Sequence, residues 1–250
     1  LHNSTSATWS NQMVHLLLAV NLLLIGYETS LKPQTQSVSS LEQSGMQLKT
    51  ILPNTAEASG GLSLGSLSAK YESSGNPGTI ANTKGDLGGK SYGTYQLTVN
   101  SGHAQKFANQ YGGPFKGLKA GTAEFDRVWK QEASKNPDKF NSSQHSYIAK
   151  NHYEPALNAF QSTTGIKNQS QLPMAVQNAI WSIGVQHGTG GARNLFKNAG
   201  IKSTDSAETI LKKMYNERMK VEKYFSGSSK DIQASVKKRF ENELNDALST

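Results

Sequence analysis

From about Leu67 to the end of the chain, apolar residues recur at helical spacing, and this pattern limits the fold more than any other feature. Helices are predicted around residues 67–73, 101–111, 121–133, 142–161, 173–186, 190–199, 205–225 and 228–248. Local punctuation agrees with several of these. Asn136-Pro137 separates two segments, Ser170 with Pro173 opens another, and Ser203-Thr204-Asp205 followed by Glu208 reads as a capping box. Residues 74–95 break the pattern: they are Gly-rich, poor in apolar side chains, and suited to turns and a short hairpin. Gly188 to Gly191 reads as a turn between helices, and Trp129 and Trp181 lie on apolar helix faces as core residues. The expectation is a mainly α (α+β) fold over residues 62–250, a two-lobed helical domain with a small β-hairpin element near its start.

Residues 1–61 read as a separate part. Val14 to Ile25 is an apolar run interrupted only by His15 and Asn21. It has the length of a signal-peptide core, yet no Lys or Arg precedes it and no clean small-residue cleavage site follows. An export segment, a helix docked on a membrane or partner, and a small packed helix all fit. The stretch behind it is rich in Ser, Gln, Thr and Gly and reads as a linker. No run of 18 apolar residues occurs, so a conventional membrane-spanning helix is not supported.

The chain contains no cysteine, which excludes disulfide scaffolds, cysteine zinc sites and thiol catalysis. The six histidines include no His-Glu-x-x-His pair, and the Gly-x-x-x-x-Gly-Lys-Ser/Thr spacing of a P-loop is missing. No metal or organic cofactor is implied. The net charge is +8, and residues 1–66 hold Lys32 and Lys49 against Glu28, Glu42 and Glu57, so residues 67–250 carry +9. Such a domain is drawn to polyanions: nucleic acid, anionic lipid or bacterial envelope polymers. Lys212-Lys213, Lys220, Lys223 and Lys237-Lys238-Arg239 read as a solvated face or as a foothold on such a polymer.

The segment from Ala69 to Leu97 holds the chemistry. Glu72 ends a short apolar helix, Asp86 sits in a Gly-flanked loop, and Ser91, Tyr92 and Gln96 follow with hydroxyls, a ring and an amide. Glycosidic cleavage uses this inventory: a protonated carboxyl for the leaving oxygen, and a second carboxylate to activate water or stabilise positive charge. A Glu among apolar neighbours has its pKa raised by desolvation, whereas an Asp in a polar loop stays ionised. The same residues also fit a bland reading, with Glu72 on a helix surface and Asp86 as a turn former.

Glu72-Ser-Ser-Gly followed by Ser91-Tyr-Gly-Thr-Tyr-Gln96 resembles the signature of the lysozyme-like superfamily. The fuller pattern is similar to its chitosanase-like muramidase branch, found in phage endolysins, tail-associated lysozymes and type VI secretion spike proteins. The likeness extends from Gly85–Gly93 to FDRVWKQEASKNPDKF (125–140), QHSYIAKNHY (144–153), AIWSIGVQHGTGG (179–191) and Arg239-Phe240 with Glu243. Leu87 and Lys90 depart from it, and Lys90 is expected to add positive charge near the presumed base.

The resemblance implies Glu72 as general acid and Asp86 as base, with Ser91, Tyr92, Gln96, Gln186 and His187 lining a sugar cleft. It also implies peptidoglycan glycan strands as substrate, and a virion-associated or exported protein acting in the periplasm or on the cell wall. A virion, tail or secretion-apparatus partner would engage residues 1–60, and Val14–Ile25 would make any membrane contact. Chitosan, a polycation, is a poorer match for a basic domain. A lytic transglycosylase using Glu72 alone, and a non-catalytic module binding wall glycan or nucleic acid, remain alternatives. Nucleic acid is the weaker of these partners.

Overall fold

A computed structural model describes residues 62–68, 76–82 and 89–250. The apolar segment Val14–Ile25, the linker, Glu72, Asp86 and Leu87 lie outside the described residues. The fold is mainly helical, with a small antiparallel sheet near its start, as the spacing of apolar residues predicts. Strands β1 (Ile80–Ala81), β2 (Ser91–Tyr92) and β3 (Leu97–Thr98) pair in sequence order, with Ile80 opposite Tyr92 and Tyr92 opposite Leu97. The sheet thus has one strand more than a hairpin.

The chain then builds α1 (His103–Tyr111) and α2 (Ala123–Lys135). Helix α2 starts where Thr122 accepts a hydrogen bond from Phe125 N, and its first turn carries Glu124 and Asp126 against Lys135 in the last. Both placements favour the helix macrodipole. Asn136 ends α2 and caps α3 (Pro137–Ile148), accepting from Lys139 N at 3.2 Å, with Pro137 in the first turn where no amide donor is missed. Helix α3 therefore begins five residues earlier than the periodicity around 142–161 suggests.

A π-turn, Ala149–Tyr153, carries the chain from α3 into α4 (Glu154–Thr164). Pro155 follows at once; lacking an N–H, it cannot bond to the carbonyl four residues back, and the widened turn absorbs that loss. Helix α4 stops at Gly165, whose φ of 79° is left-handed.

The longest helix, α5 (Met174–Ala199), covers two predicted segments. The turn expected at 188–191 shrinks to a kink at Gly188, with φ 63° and ψ 178°. Helix α6 (Ala207–Arg218) is capped by Ser206, which accepts from Thr209 N at 3.2 Å. The expected capping box is thereby corrected: Glu208 pairs with Lys212 at 2.5 Å and Asp205 with Lys213 at 2.7 Å. The single helix predicted over 205–225 is broken at Met219–Lys220 into α6 and α7 (Val221–Tyr224). The break turns Lys220, Lys223 and Tyr224 back onto the buried carboxylate of Glu217. Helix α8 (Lys230–Leu248) closes the fold behind its cap, Ser229.

One continuous apolar core runs from Leu67 to Ala247. Its densest part is aromatic. Trp129 is surrounded by Phe140, Tyr92, Phe107, Phe115 and Phe125 at centroid distances of 4.9 to 5.9 Å. Trp129 and Trp181 are both fully buried, as their helix faces predict. No described helix is long and apolar enough to cross a membrane.

Candidate functional site

The chain segments on either side of the two candidate carboxylates are tied to the helical core. Upstream of Glu72, residues 66–68 form a helical turn. Leu67 N donates to Asn178 Oδ1 on α5 at 3.4 Å, and Asn178 Nδ2 returns a bond to Ser63 O at 3.0 Å. Asn178 is fully buried, so its amide is committed to this segment. Gly65 lies against Trp181 and His145, where a Cβ would come within 3.1 Å of the indole ring.

Downstream of Glu72, Pro77 O accepts from both Trp129 Nε1 (2.8 Å) and Gln144 Nε2 (3.0 Å). Gln144 also accepts from Thr94 N at 2.9 Å, so one buried amide on α3 holds the loop before β1 and the turn after β2 together. Thr94 Oγ1 adds a bond to Asn141 Oδ1 at 2.8 Å. After Asp86, Lys90 Nζ bonds to Asp126 Oδ2 at 2.5 Å and to Gly121 O at 3.1 Å. The charge of Lys90, expected near Asp86, is held by Asp126 at the start of α2.

Of the five predicted cleft residues, Ser91 and Tyr92 form β2 and Gln96 ends the turn before β3. Ser91 Oγ donates to Gln96 Oε1 at 2.7 Å, and both residues are buried. Gln96 is the one described non-glycine residue with a left-handed backbone, at φ 52°, a strain of about 1–3 kcal/mol that its side-chain bonds help to hold. The Tyr92 ring is fully buried against Trp129 and Phe125, and its hydroxyl donates to Asp126 Oδ1 at 2.5 Å. Burial and the neighbouring Asp126 raise the tyrosine pKa, so the hydroxyl stays protonated and donating. The aromatic core, which sequence spacing cannot reveal, is what draws the ring inward.

Gln186 and His187 stand on α5 just before the Gly188 kink. Gln186 is buried and accepts a hydrogen bond from Arg218 of α6. Arg218 and Glu243 of α8 are both fully buried and joined at 2.8 Å, with Ser182, Tyr215 and Arg239 also bonded to Glu243. Burial alone would raise the Glu243 pKa, yet the charges of Arg239 and Arg218 hold it below the usual value. His187 packs edge-on against Tyr224 and Phe225, its Nε2 is shut off from solvent without a partner, and burial keeps it neutral. Gln186 thus joins α5 to α6, and His187 packs α5 against the Tyr224–Phe225 segment. Arg218 carried no signal in the sequence that distinguished it from a surface arginine.

The π-turn brings His152 beside His103 of α1, ring centroids 4.8 Å apart, and His103 Nδ1 meets Tyr147 OH at 2.8 Å. Helix α5 passes so close that a Cβ on Gly184 would lie 2.7 Å from His152 O. Burial, helped by Lys106, lowers the His103 pKa to about 4; burial with His103 lowers His152 to about 3.

An unfolded histidine titrates near 6.5 and so binds protons that the folded state refuses. The stability from these rings is complete above that pH and falls as pH drops through it. Unfolding free energy should decrease by about 2 kcal/mol per histidine between pH 7 and pH 5. That window lies above the titration of Glu217, which burial pushes up but the bonds from Lys220, Lys223 and Tyr224 hold down to about 2. Urea denaturation at pH 7, 6 and 5 checks this; a flat profile would exclude it, and His103→Gln should reduce the slope.

The described fold is thus a helical frame that fixes the approaches to a Gly-rich loop segment at its start. A family model for type VI secretion system spike protein VgrG3-like C-terminal regions matches residues 64–244, and the chain belongs to that family. It is similar to the type VI secretion system spike protein VgrG3 of Vibrio cholerae serotype O1, with 39% identity over 139 residues. The match covers 54% of this chain and 13% of that protein.

Proposed function

We propose that this chain is the wall-degrading domain of a type VI secretion spike protein, a glycoside hydrolase that cuts the β-1,4 glycan strands of peptidoglycan. Glu72 protonates the leaving oxygen and Asp86 activates water from the opposite face of the sugar. Membership of the VgrG3-like C-terminal family carries the reading. Anchoring of the segments that flank both carboxylates supports it, because acid–base catalysis on one bond requires groups held within a fraction of an ångström.

Ser91, Gln96 and Tyr92 act in this scheme by fixing the turn through which the loop returns, and Gln186 with His187 by bracing the kinked helix behind it. Residues 1–60 connect to the secretion apparatus, which exports the domain to the wall of a target cell. The positive charge matches an anionic wall and opposes chitosan, a polycation.

Mass spectrometry of fragments released from purified sacculi tests the proposal. Wild type should release hydrated, reducing-end muropeptides, and Glu72→Gln and Asp86→Asn should each lower release by at least about a hundredfold. Anhydro-muropeptides that persist in Asp86→Asn would mean a lytic transglycosylase that needs Glu72 alone. A wild type that releases nothing would leave a binding module.

A further inference from the structure

Residues 87–123 contain no Asp or Glu, yet they hold Lys90, Lys106, Lys116 and Lys119. Lys90 is occupied by Asp126. The other three are exposed, and none makes an ion pair among the described residues.

The C-terminal half differs. Lys212 pairs with Glu208, Lys213 with Asp205, Lys220 and Lys223 with Glu217, Lys238 with Glu241, and both Arg218 and Arg239 with Glu243. Most of the lysines that sequence singled out as a foothold are therefore neutralised where they stand. Among the described residues, lysines without an ion pair also stand on other helices, among them Lys130, Lys139, Lys150 and Lys197, but α1 and the loop behind it carry theirs in a stretch that holds no acidic residue.

Local bonding gathers that charge. Gln105 of α1 donates to Leu118 O at 3.1 Å and accepts from Ala120 N at 2.8 Å. The two bonds bracket Lys119 and hold its loop to the helix beside Lys106. Tight turns at Phe115, Lys116 and Leu118 stiffen the stretch that carries Lys116.

We infer that Lys106, Lys116 and Lys119 form a docking face for a polycarboxylate, the free carboxylates of the peptide stems of the cell wall. The choice of wall peptide rests on the proposed wall-degrading function. Two observations turn the face away from nucleic acid. No aromatic ring is exposed among the described residues, so bases find no stacking platform. The face is also built of lysines, compact point charges, and lacks the arginine forks that grip phosphates in two places. Unpaired lysines on a braced loop keep their full field for an incoming polymer, whereas paired ones have already lost it to a neighbour.

Co-sedimentation with insoluble sacculi at low and high salt tests the inference, using the full chain carrying Glu72→Gln so that the wall is not consumed. One triple variant is Lys106→Gln, Lys116→Gln and Lys119→Gln; the other is Lys212→Gln, Lys213→Gln and Lys238→Gln. Both remove the same formal charge. The first should weaken binding at low salt about tenfold and the second less than about twofold, with the difference shrinking at high salt. Poly-glutamate should compete for wild type, and the first triple should melt as wild type does because its lysines make no ion pairs.

Equal losses in the two triples would overturn the docking face in favour of net charge. Retention of binding by the first triple would overturn it outright. Stronger competition from duplex DNA than from poly-glutamate at equal charge would make it a nucleic-acid face. Binding is scored without catalysis, so a wild type that fails to cut sacculi counts against the hydrolase alone.

Discussion

Replacing Arg218 by Ala should destabilise the protein by about 3–5 kcal/mol, a large share of the stability of a domain this size. The guanidinium is fully buried and lies 4.0 Å over the Phe240 ring. It donates to Glu243 Oε2 at 2.8 Å, to Ser182 Oγ at 2.8 Å and to Gln186. Three helices, α5, α6 and α8, meet on this one side chain. Its removal leaves Glu243 buried with Arg239 as its remaining cation, and the cost is mainly that uncompensated charge.

The attraction of the pair is offset by the cost of taking both ions from water. Arg218→Met combined with Glu243→Leu should therefore recover most of what Arg218→Ala loses. Urea denaturation of the three proteins at pH 7 measures this. A loss below about 1 kcal/mol in Arg218→Ala would place the network among weak surface-like pairs and exclude the argument.

Gly93→Ala should lose about 3–4 kcal/mol, and Gly102→Ala only about 1–2 kcal/mol, although both glycines have the same left-handed backbone, at φ 74° and 75°. Around Gly102 nothing lies within 4 Å of an added Cβ, so the backbone cost stands alone. At Gly93 the new carbon would sit 2.1 Å from Gln144 Oε1. Gln144 cannot yield freely, since it is fully buried and its amide bonds both Thr94 N and Pro77 O. Displacing it strands the Thr94 amide, leaves Pro77 O with Trp129 as its remaining donor, and loosens the turn after β2 from α3. Thermal melts of the two variants give the comparison. Loss of wall cleavage in Gly93→Ala at temperatures where it stays folded would link the same contact to the proposed activity. Equal melting points would show that Gln144 moves aside without cost.

These two sites mark where sequence reading succeeds and where it stops. The helices were legible because burying one face imposes a period on the residues that form it, and α1, α2, α5 and α8 stand close to where that period puts them. Asn136-Pro137 was legible as a boundary because a cap and a proline act within one turn. The capping residue of α6 was misplaced by one position, since Ser203 to Ser206 offers several oxygens and only the packed chain selects Ser206. The break at Met219–Lys220 was invisible, because it depends on three side chains closing on Glu217. Glu72 and Asp86 were singled out by residue type and by resemblance, and they remain proposals tested by the digestion of sacculi.

The mainly helical class, the position of the sheet, the absence of cysteine chemistry and the basic character of residues 67–250 are all written in the order and composition of the residues. Each of these follows from composition or from interactions within a few residues of chain. Tertiary structure alone decided that Tyr92 faces the aromatic core, that Gln186 serves Arg218, and which lysines are neutralised and which stand free. Those outcomes depend on partners brought together from distant parts of the chain, such as Arg218 with Glu243 or Gln144 with Pro77. Burial and charge pairing belong to positions in space, and only the folded chain assigns them.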